Sequence, residues 1–202
     1  MTKPLCVYAL ALSVLAACSS SAQQVGAVDP QQTPKGTNVN PDAGMLADFK
    51  KRVDDYVKLR EKASSASPAL QEKSKPADIA TAEKSMAHRV REARVGSKQG
   101  DIFTPATQAM FRRMLKQPLT KSADAADNKA TIKDDAPAAA EVPFKVNAEY
   151  PKDVALSTVP PDVLLTLPAL PEDMQYRFAG KHLLLFDAKA NIIVDFMLNA
   201  IP

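Results

Sequence analysis

The sequence predicts an α+β protein: a small helical bundle of about three helices, followed by a three-stranded antiparallel β-meander with a short covering helix. Three observations predict it. Between 42 and 117, apolar residues recur every three or four positions, the spacing of one helix face. Over the last thirty residues they alternate with period two and are interrupted by short turn signals. Between 118 and 143 the Ala, Asp, Lys and Pro composition shows neither period, so this stretch is expected to be a linker to the C-terminal α+β region at 144–202.

The first helix is expected over Gly44–Ala63, capped by Asp42, with Leu46, Phe49, Val53 and Tyr56 or Val57 on its buried stripe. Its charges, among them Lys50, Lys51, Asp54, Asp55, Lys58 and Lys62, cover the other sides and read as a solvated face. A serine- and proline-containing break over 64–76 precedes a second helix from Pro76 or Ala77 to Val95, with Ile79, Ala82, Met86, Val90 and Ala93 as its stripe and Gly96 as its stop. A third helix starts after Thr104 as N-cap and Pro105 as first helical residue, and turns Met110, Phe111, Met114 and Leu115 inward. In the C-terminal region, 144–151 reads as an extended segment, and Asp162–Leu167 as one or two helical turns ended by Pro168, covering the sheet with Leu164, Leu165 and Leu167. Strands are expected at Gln175–Phe178, His182–Asp187 and Ile192–Leu198, joined by a tight Gly180-Lys181 connection and a turn over 188–191. Strict alternation in the last strand puts Ile192, Val194 and Phe196 inward and Asp195 outward.

The N-terminus carries a different kind of pattern. Lys3 is followed by a nearly unbroken apolar run from Leu5 to Ala17, too short for a bilayer span of ~20 residues. It has the form of a secretory leader. Leu15-Ala16-Ala17-Cys18 closes it, and this order resembles the lipobox of bacterial lipoproteins. The resemblance implies cleavage before Cys18, so that 1–17 is a signal peptide. It also implies acylation of Cys18, including palmitate or a similar chain, and attachment of the protein to a membrane through lipid. Ser19 in place of Asp implies the outer membrane rather than the inner, on the periplasmic side of the cell envelope. An ordinary leader cut after Ala22 is the alternative. Residues 18–41, rich in Ser, Gln, Thr, Asn, Gly and Pro, read as a flexible tether.

With the leader removed, Cys18 is the one remaining cysteine, so neither a disulfide nor a thiolate cluster is expected in the folded part. The charge is uneven. Residues 42–121 hold seventeen basic and ten acidic side chains, whereas 122–202 hold seven and twelve. The simplest reading is that the two halves attract each other. The functional reading is a basic surface for anionic lipid, cell-wall polymer or an envelope protein, with Arg89, Arg91, Arg94, Arg112 and Arg113 as its contacts. The first three also suit the carbonyl end of the second helix. Nucleic acid is not expected, because aromatic and basic residues do not interleave.

Val53–Arg60, Gly100–Pro105 with Phe111-Arg112-Arg113, and Leu156–Pro161 through Tyr176-Arg177-Phe178 to Ile193–Phe196 resemble a recurrent family of short exported bacterial proteins. That resemblance implies a shared fold and no particular activity. The ending alone also resembles periplasmic nickel/cobalt-homeostasis proteins, which are otherwise rich in histidine. With only His88 and His182 present, no metal site, and no other cofactor, is expected here. Phosphate-loop, nucleophile-elbow and zinc-protease motifs are absent from the sequence. Asp54 with Asp55, or Asp187 with Asp195, are the carboxylate pairs available for hydrolytic chemistry. The former point apart on a helix, and the latter need a cleft that separates their pKa values. Tyr176 and Arg177 open a strand, where alternation sends Tyr176 and Phe178 to one face as core. The expectation is a non-catalytic, exported, lipid-anchored envelope protein with a binding or structural role. A metal-responsive protein or a hydrolase using the C-terminal carboxylates is the alternative.

Overall fold

A computed structural model of the chain describes residues 40–65 and 75–201. The leader, Cys18 and most of the expected tether lie outside the described residues. The α+β class holds: five α-helices, four of them before the C-terminal region, and one antiparallel sheet are found among the described residues. Helix α1 (Pro41–Ser65) and α2 (Pro76–Ala93) lie against each other, and α3 (Pro105–Lys116) packs on α1. The Thr104 hydroxyl accepts the Thr107 N–H at 3.2 Å, as an N-cap should. The stripes form most of the helical core: Phe49, Val53 and Tyr56 from α1, Met86, Ala87 and Val90 from α2, Met110, Phe111 and Leu115 from α3. Phe49, Phe103 and Phe111 meet in a three-ring cluster with centroids 5.0–5.9 Å apart. Helix α2 is rotated from the expected stripe, and leaves Ile79 and Ala93 exposed.

The stretch 118–143 is not an unstructured linker. A π-helical turn (Gln117–Lys121), α4 (Ala125–Asp135) and a 3-10 turn (Ala139–Glu141) occupy it. Leu119 and Ile132 are fully buried, and the Asn128 amide donates to the Pro118 carbonyl at 3.0 Å. Leu119 and Ile132, thirteen residues apart, anchor the helical part of this segment, too sparse a pattern to register as a stripe. Helix α5 (Pro161–Thr166) follows. It buries Val163 and, at its end, Leu167, while Leu164 and Leu165 point outward, Leu165 being 85% exposed. Packed on α3 and the π-helical turn, α5 therefore adds Val163 and Leu167 to the helix-side core, not the leucine pair.

Strands β1 (Met174–Ala179), β2 (His182–Asp187) and β3 (Ile192–Met197) form the expected meander in the order β1-β2-β3. Gly180 turns the first hairpin at φ 52°, and Asn191 closes the second at φ 48°. Both faces of the sheet are covered. Met174, Tyr176, Phe178, Leu183 and Leu185 pack towards the helices. Leu184, Phe186, Ile193 and Phe196 pack under Val142, Phe144, Val146, Tyr150 and Val154 from the preceding segment. That segment also pairs with the edge of β3: Asn147 N–H donates to Ile193 O at 2.8 Å, and Ile193 N–H to Ala148 O at 2.9 Å. An open edge is thereby closed against pairing with another chain.

The pairing of β2 with β3 slips once. Leu185 faces Asp195, but Phe186 faces Ile193, so Val194 is an extra residue in β3. Such a bulge puts two successive side chains on the same face. Asp195 therefore joins Val194 on the helical side, and Phe196 moves to the other. The strict alternation expected for this strand holds through Val194 and fails from Asp195 onward, and Asp195 is 0% exposed rather than outward.

Candidate functional site

The most concentrated chemistry lies between the helices and the helix-facing side of the sheet. Asp187 ends β2 on the same face as Leu183 and Leu185. Its Oδ1 accepts the backbone N–H groups of Lys189 and Ala190 at 2.9 and 3.0 Å, which shapes the β2–β3 turn. The same oxygen takes Arg60 Nη1 at 3.3 Å, and Oδ2 takes the Tyr56 hydroxyl at 2.5 Å. Arg60 also lies 3.7 Å from Asp173. Arg60 continues the buried stripe of α1 one turn beyond Tyr56, a position where an apolar residue would be expected. Burial, then the neighbouring Asp187 charge and its hydrogen bond, push the Tyr56 hydroxyl far above its ordinary value, so this group stays a proton donor.

Arg94 sits beside this cluster, with its guanidinium carbon 4.9 Å from the Tyr56 ring centroid. It donates to Asn147 Oδ1 at 2.7 Å and to the Val194 carbonyl at 3.1 Å, and its own carbonyl accepts from Asn147 Nδ2 at 3.1 Å. Asn147 takes φ 65°, which asparagine tolerates better than most residues, and so ties the end of α2 to the edge of β3. Burial lowers the Arg94 pKa, and Tyr56 and the nearby carboxylates raise it in return.

Asp195 is the second buried carboxylate. Its Oδ1 accepts N–H groups from Gly100 at 3.0 Å and Phe196 at 2.8 Å, and its Oδ2 accepts from Ile102 and Phe103, each at 2.8 Å. Four donors surround one carboxylate, and they pin the loop leading into α3 against β3. Burial pushes this carboxyl above the usual range, and the four N–H groups offset only part of that rise. Neither carboxylate presents a free face to a substrate, since both are 0% exposed and surrounded by protein donors. The Asp187/Asp195 pair is a structural lock, which removes the geometric basis for hydrolysis there.

The five arginines do not gather into one anion-binding face. Arg94 is 7% exposed and committed to Asn147 and Val194, so it cannot meet a partner. Arg91 donates to the Asn147 carbonyl at 3.1 Å and lies 3.6 Å from Glu149. Arg112, although exposed, reaches the Leu198 carbonyl at 3.0 Å, and Arg113 pairs with Asp42 to clamp the start of α1 onto α3. Arg89 is half-buried and donates to Ser85 at 2.9 Å. Arg60–Asp173, Arg60–Asp187 and Arg91–Glu149 all join the basic half of the chain to the acidic half, as the simpler reading of the charge asymmetry holds.

His88 lies on the surface 3.3 Å from Glu92, and His182 Nδ1 accepts the Asn199 N–H at 2.9 Å while its ring packs edge-on against Phe144. The two histidines are not brought together, and no group of three or more metal-ligating side chains occurs among the described residues. Asp54 is exposed, and Asp55 pairs with Lys51 at 2.6 Å. Tyr176 is core and donates to the Pro168 carbonyl at 3.0 Å, whereas Arg177 braces Ser157 and Gln175.

What remains open is on the surface. One cleft of about 600 Å³ runs between α5 and β1, lined by Leu164, Leu165, Leu167 and Leu170 together with Gln175 and Arg177 of β1. A second, of about 620 Å³, lies between the C-terminal half of α1 and the end of α2. No helix among the described residues is long and apolar enough to cross a membrane. No family model, curated protein or solved structure matches the chain.

Proposed function

We propose that the chain is an exported, lipid-anchored protein of the bacterial cell envelope, facing the periplasm, with a non-catalytic binding or structural role. The observation that carries this reading is Leu15-Ala16-Ala17-Cys18 at the end of a short apolar run behind Lys3. Several acyl chains on Cys18 would hold the protein at a membrane, since each buried CH₂ contributes ~0.8 kcal/mol and one chain alone is marginal. Ser19 favours the outer membrane as its location. The non-catalytic role is supported by the use of the buried ionisable groups. Tyr56, Arg60, Arg94, Asp187 and Asp195 satisfy one another and the backbone, which leaves surface clefts, among them those beside α5 and between α1 and α2, as places for binding.

The test is acylation. Cells grown with radiolabelled palmitate should yield a labelled protein in the membrane fraction. Its intact mass should correspond to a chain beginning at Cys18 and bearing acyl groups. A Cys18→Ser chain should lose both the label and the acyl mass. A mass matching a chain cut after Ala22, or a Cys18→Ser chain that keeps the label, would overturn the reading.

A further inference from the structure

We propose that the groove between α1 and α2 seats an anionic phospholipid of the membrane to which the chain is tied, an inference that rests on the lipid-anchored reading above. The groove has cationic rims and an apolar floor. Lys58 and Lys62 stand one helical turn apart on α1, and Arg89 faces them from α2. Leu59, Ala63 and Ala93 lie between them. Glu92 is the one carboxylate among the lining residues, and it lies beside His88. Lys58 is 75% exposed at its side chain and only 4.0 Å from Asp55 at its closest, so its ammonium is available to a further anion. Long basic side chains lay their methylene stems along apolar surface and keep their charges at the water boundary. Here Lys58 and Lys62 would present two cations to one phosphate while an acyl chain meets the apolar lining. The volume lies within the ~300–1,000 Å³ of small-ligand sites. An amphiphile with one anionic end fits this charge pattern, which a neutral apolar ligand would leave unused.

Geometry also brings that lipid near. Helix α1 begins at Pro41. The chain between Cys18 and Pro41 has a contour of up to ~80 Å at ~3.3–3.6 Å per residue. Helix α1 is ~38 Å long at ~1.5 Å per residue. The groove, near the far end of α1, is therefore within reach of the bilayer that holds Cys18. Tethering makes the encounter intramolecular, so a weak individual affinity suffices.

The experiment is co-sedimentation of the mature chain from residue 18 onward carrying Cys18→Ser, which neither leader nor acyl groups can hold, with phosphatidylglycerol or phosphatidylcholine vesicles at fixed salt. Binding to the former and not the latter is expected. The Lys58→Glu/Lys62→Glu pair should weaken it by about thirtyfold or more, from the contribution of each lysine near an anionic surface. Lys129→Glu/Lys133→Glu makes the same charge change on the exposed face of α4 and should leave binding within about twofold. Equal loss in both pairs would show diffuse attraction and overturn the groove. So would equal binding to both vesicles, or displacement by inorganic phosphate at the same phosphate concentration. Unaltered melting temperatures establish that both pairs fold. The mass of the wild-type protein separates the two ideas. Acylated protein with a silent Lys58/Lys62 pair removes the groove and leaves the anchor. Unacylated protein with groove-dependent binding removes the anchor and leaves the groove.

Discussion

Asp195→Asn is the substitution that best probes how this fold is held together. The two side chains have nearly the same shape, so packing is preserved, and what changes is one oxygen becoming an NH₂ group. Each carboxylate oxygen of Asp195 accepts two backbone N–H groups: Gly100 and Phe196 on one, Ile102 and Phe103 on the other. Whichever way the amide is placed, its NH₂ faces two donors and leaves both without an acceptor. Each orphaned buried donor costs about 1–3 kcal/mol, so the loss is about 2–6 kcal/mol. Against a total stability of about 5–15 kcal/mol for a domain, this is a severe change. Urea denaturation followed by far-ultraviolet circular dichroism measures it, with Asp55→Asn as an exposed control expected within about 0.5 kcal/mol of wild type. Asp195→Asn as stable as that control would refute the locking role, and would return Asp195 to the surface of β3 where strict alternation puts it.

Two further predictions concern α5 and His182. Val163→Ala should destabilise by about 1–3 kcal/mol through a cavity under α5, whereas Leu165→Ala should stay within about 0.5 kcal/mol because that side chain is already in solvent; reversed magnitudes in urea melts would mean that the helix is rotated. Burial first, and then Lys181, hold the His182 imidazole below its ordinary 6.5, and its Nδ1 is an acceptor for Asn199 N–H. The neutral ring is therefore the form the fold prefers, so its contribution is present above pH 6.5 and is lost as pH falls towards the folded value. Stability should decline between pH 7 and 5 in wild type and less so in His182→Gln, and identical slopes in the two proteins would exclude this histidine as the source.

Much of the architecture was legible because it follows from local pattern. Phe49, Val53 and Tyr56 on α1 and Met110, Phe111 and Leu115 on α3 repeat at helical spacing, and Gly180 and Asn191 mark the two hairpin turns. The misses share a cause: they depend on partners far away in sequence. Arg60 occupies a core position of α1 because Asp173 and Asp187 wait for it more than a hundred residues later. Asp195 is buried because one extra residue, Val194, reverses the phase of β3, and a bulge leaves no mark in a run that is apolar on both faces. The helical part of 118–143 is held by Leu119 and Ile132, which only tertiary contact makes significant. Among the candidate contacts, five arginines look alike in sequence, yet their different partners separate Arg94 inside from Arg112 at the surface. Arg60 at four residues beyond Tyr56 was the one available hint of a buried polar cluster, since it falls on the apolar stripe.

The two buried aspartates also explain why the meander has a helical half at all. A three-stranded sheet with apolar residues on both faces needs two covers. The 142–154 segment supplies one by running along β3, the strand that precedes it in space and follows it in sequence. The helices supply the other, but helices can slide over an apolar face with little change in buried area. Asp187 and Asp195 oppose such sliding because each fixes a particular helix element to a particular strand position: α1 through Tyr56 and Arg60, the entry to α3 through Gly100, Ile102 and Phe103. Arg94 with Asn147 does the same for α2. Hydrogen bonds are short-ranged and directional, so a displacement of an ångström or two breaks several together and exposes unpaired buried groups. The register of helices on sheet is thus set by polar contacts inside an apolar interface, and the groove between α1 and α2 inherits its shape from them. Disrupting Asp187 or Arg94 should therefore weaken lipid binding in the groove as well as stability, although neither residue lines it.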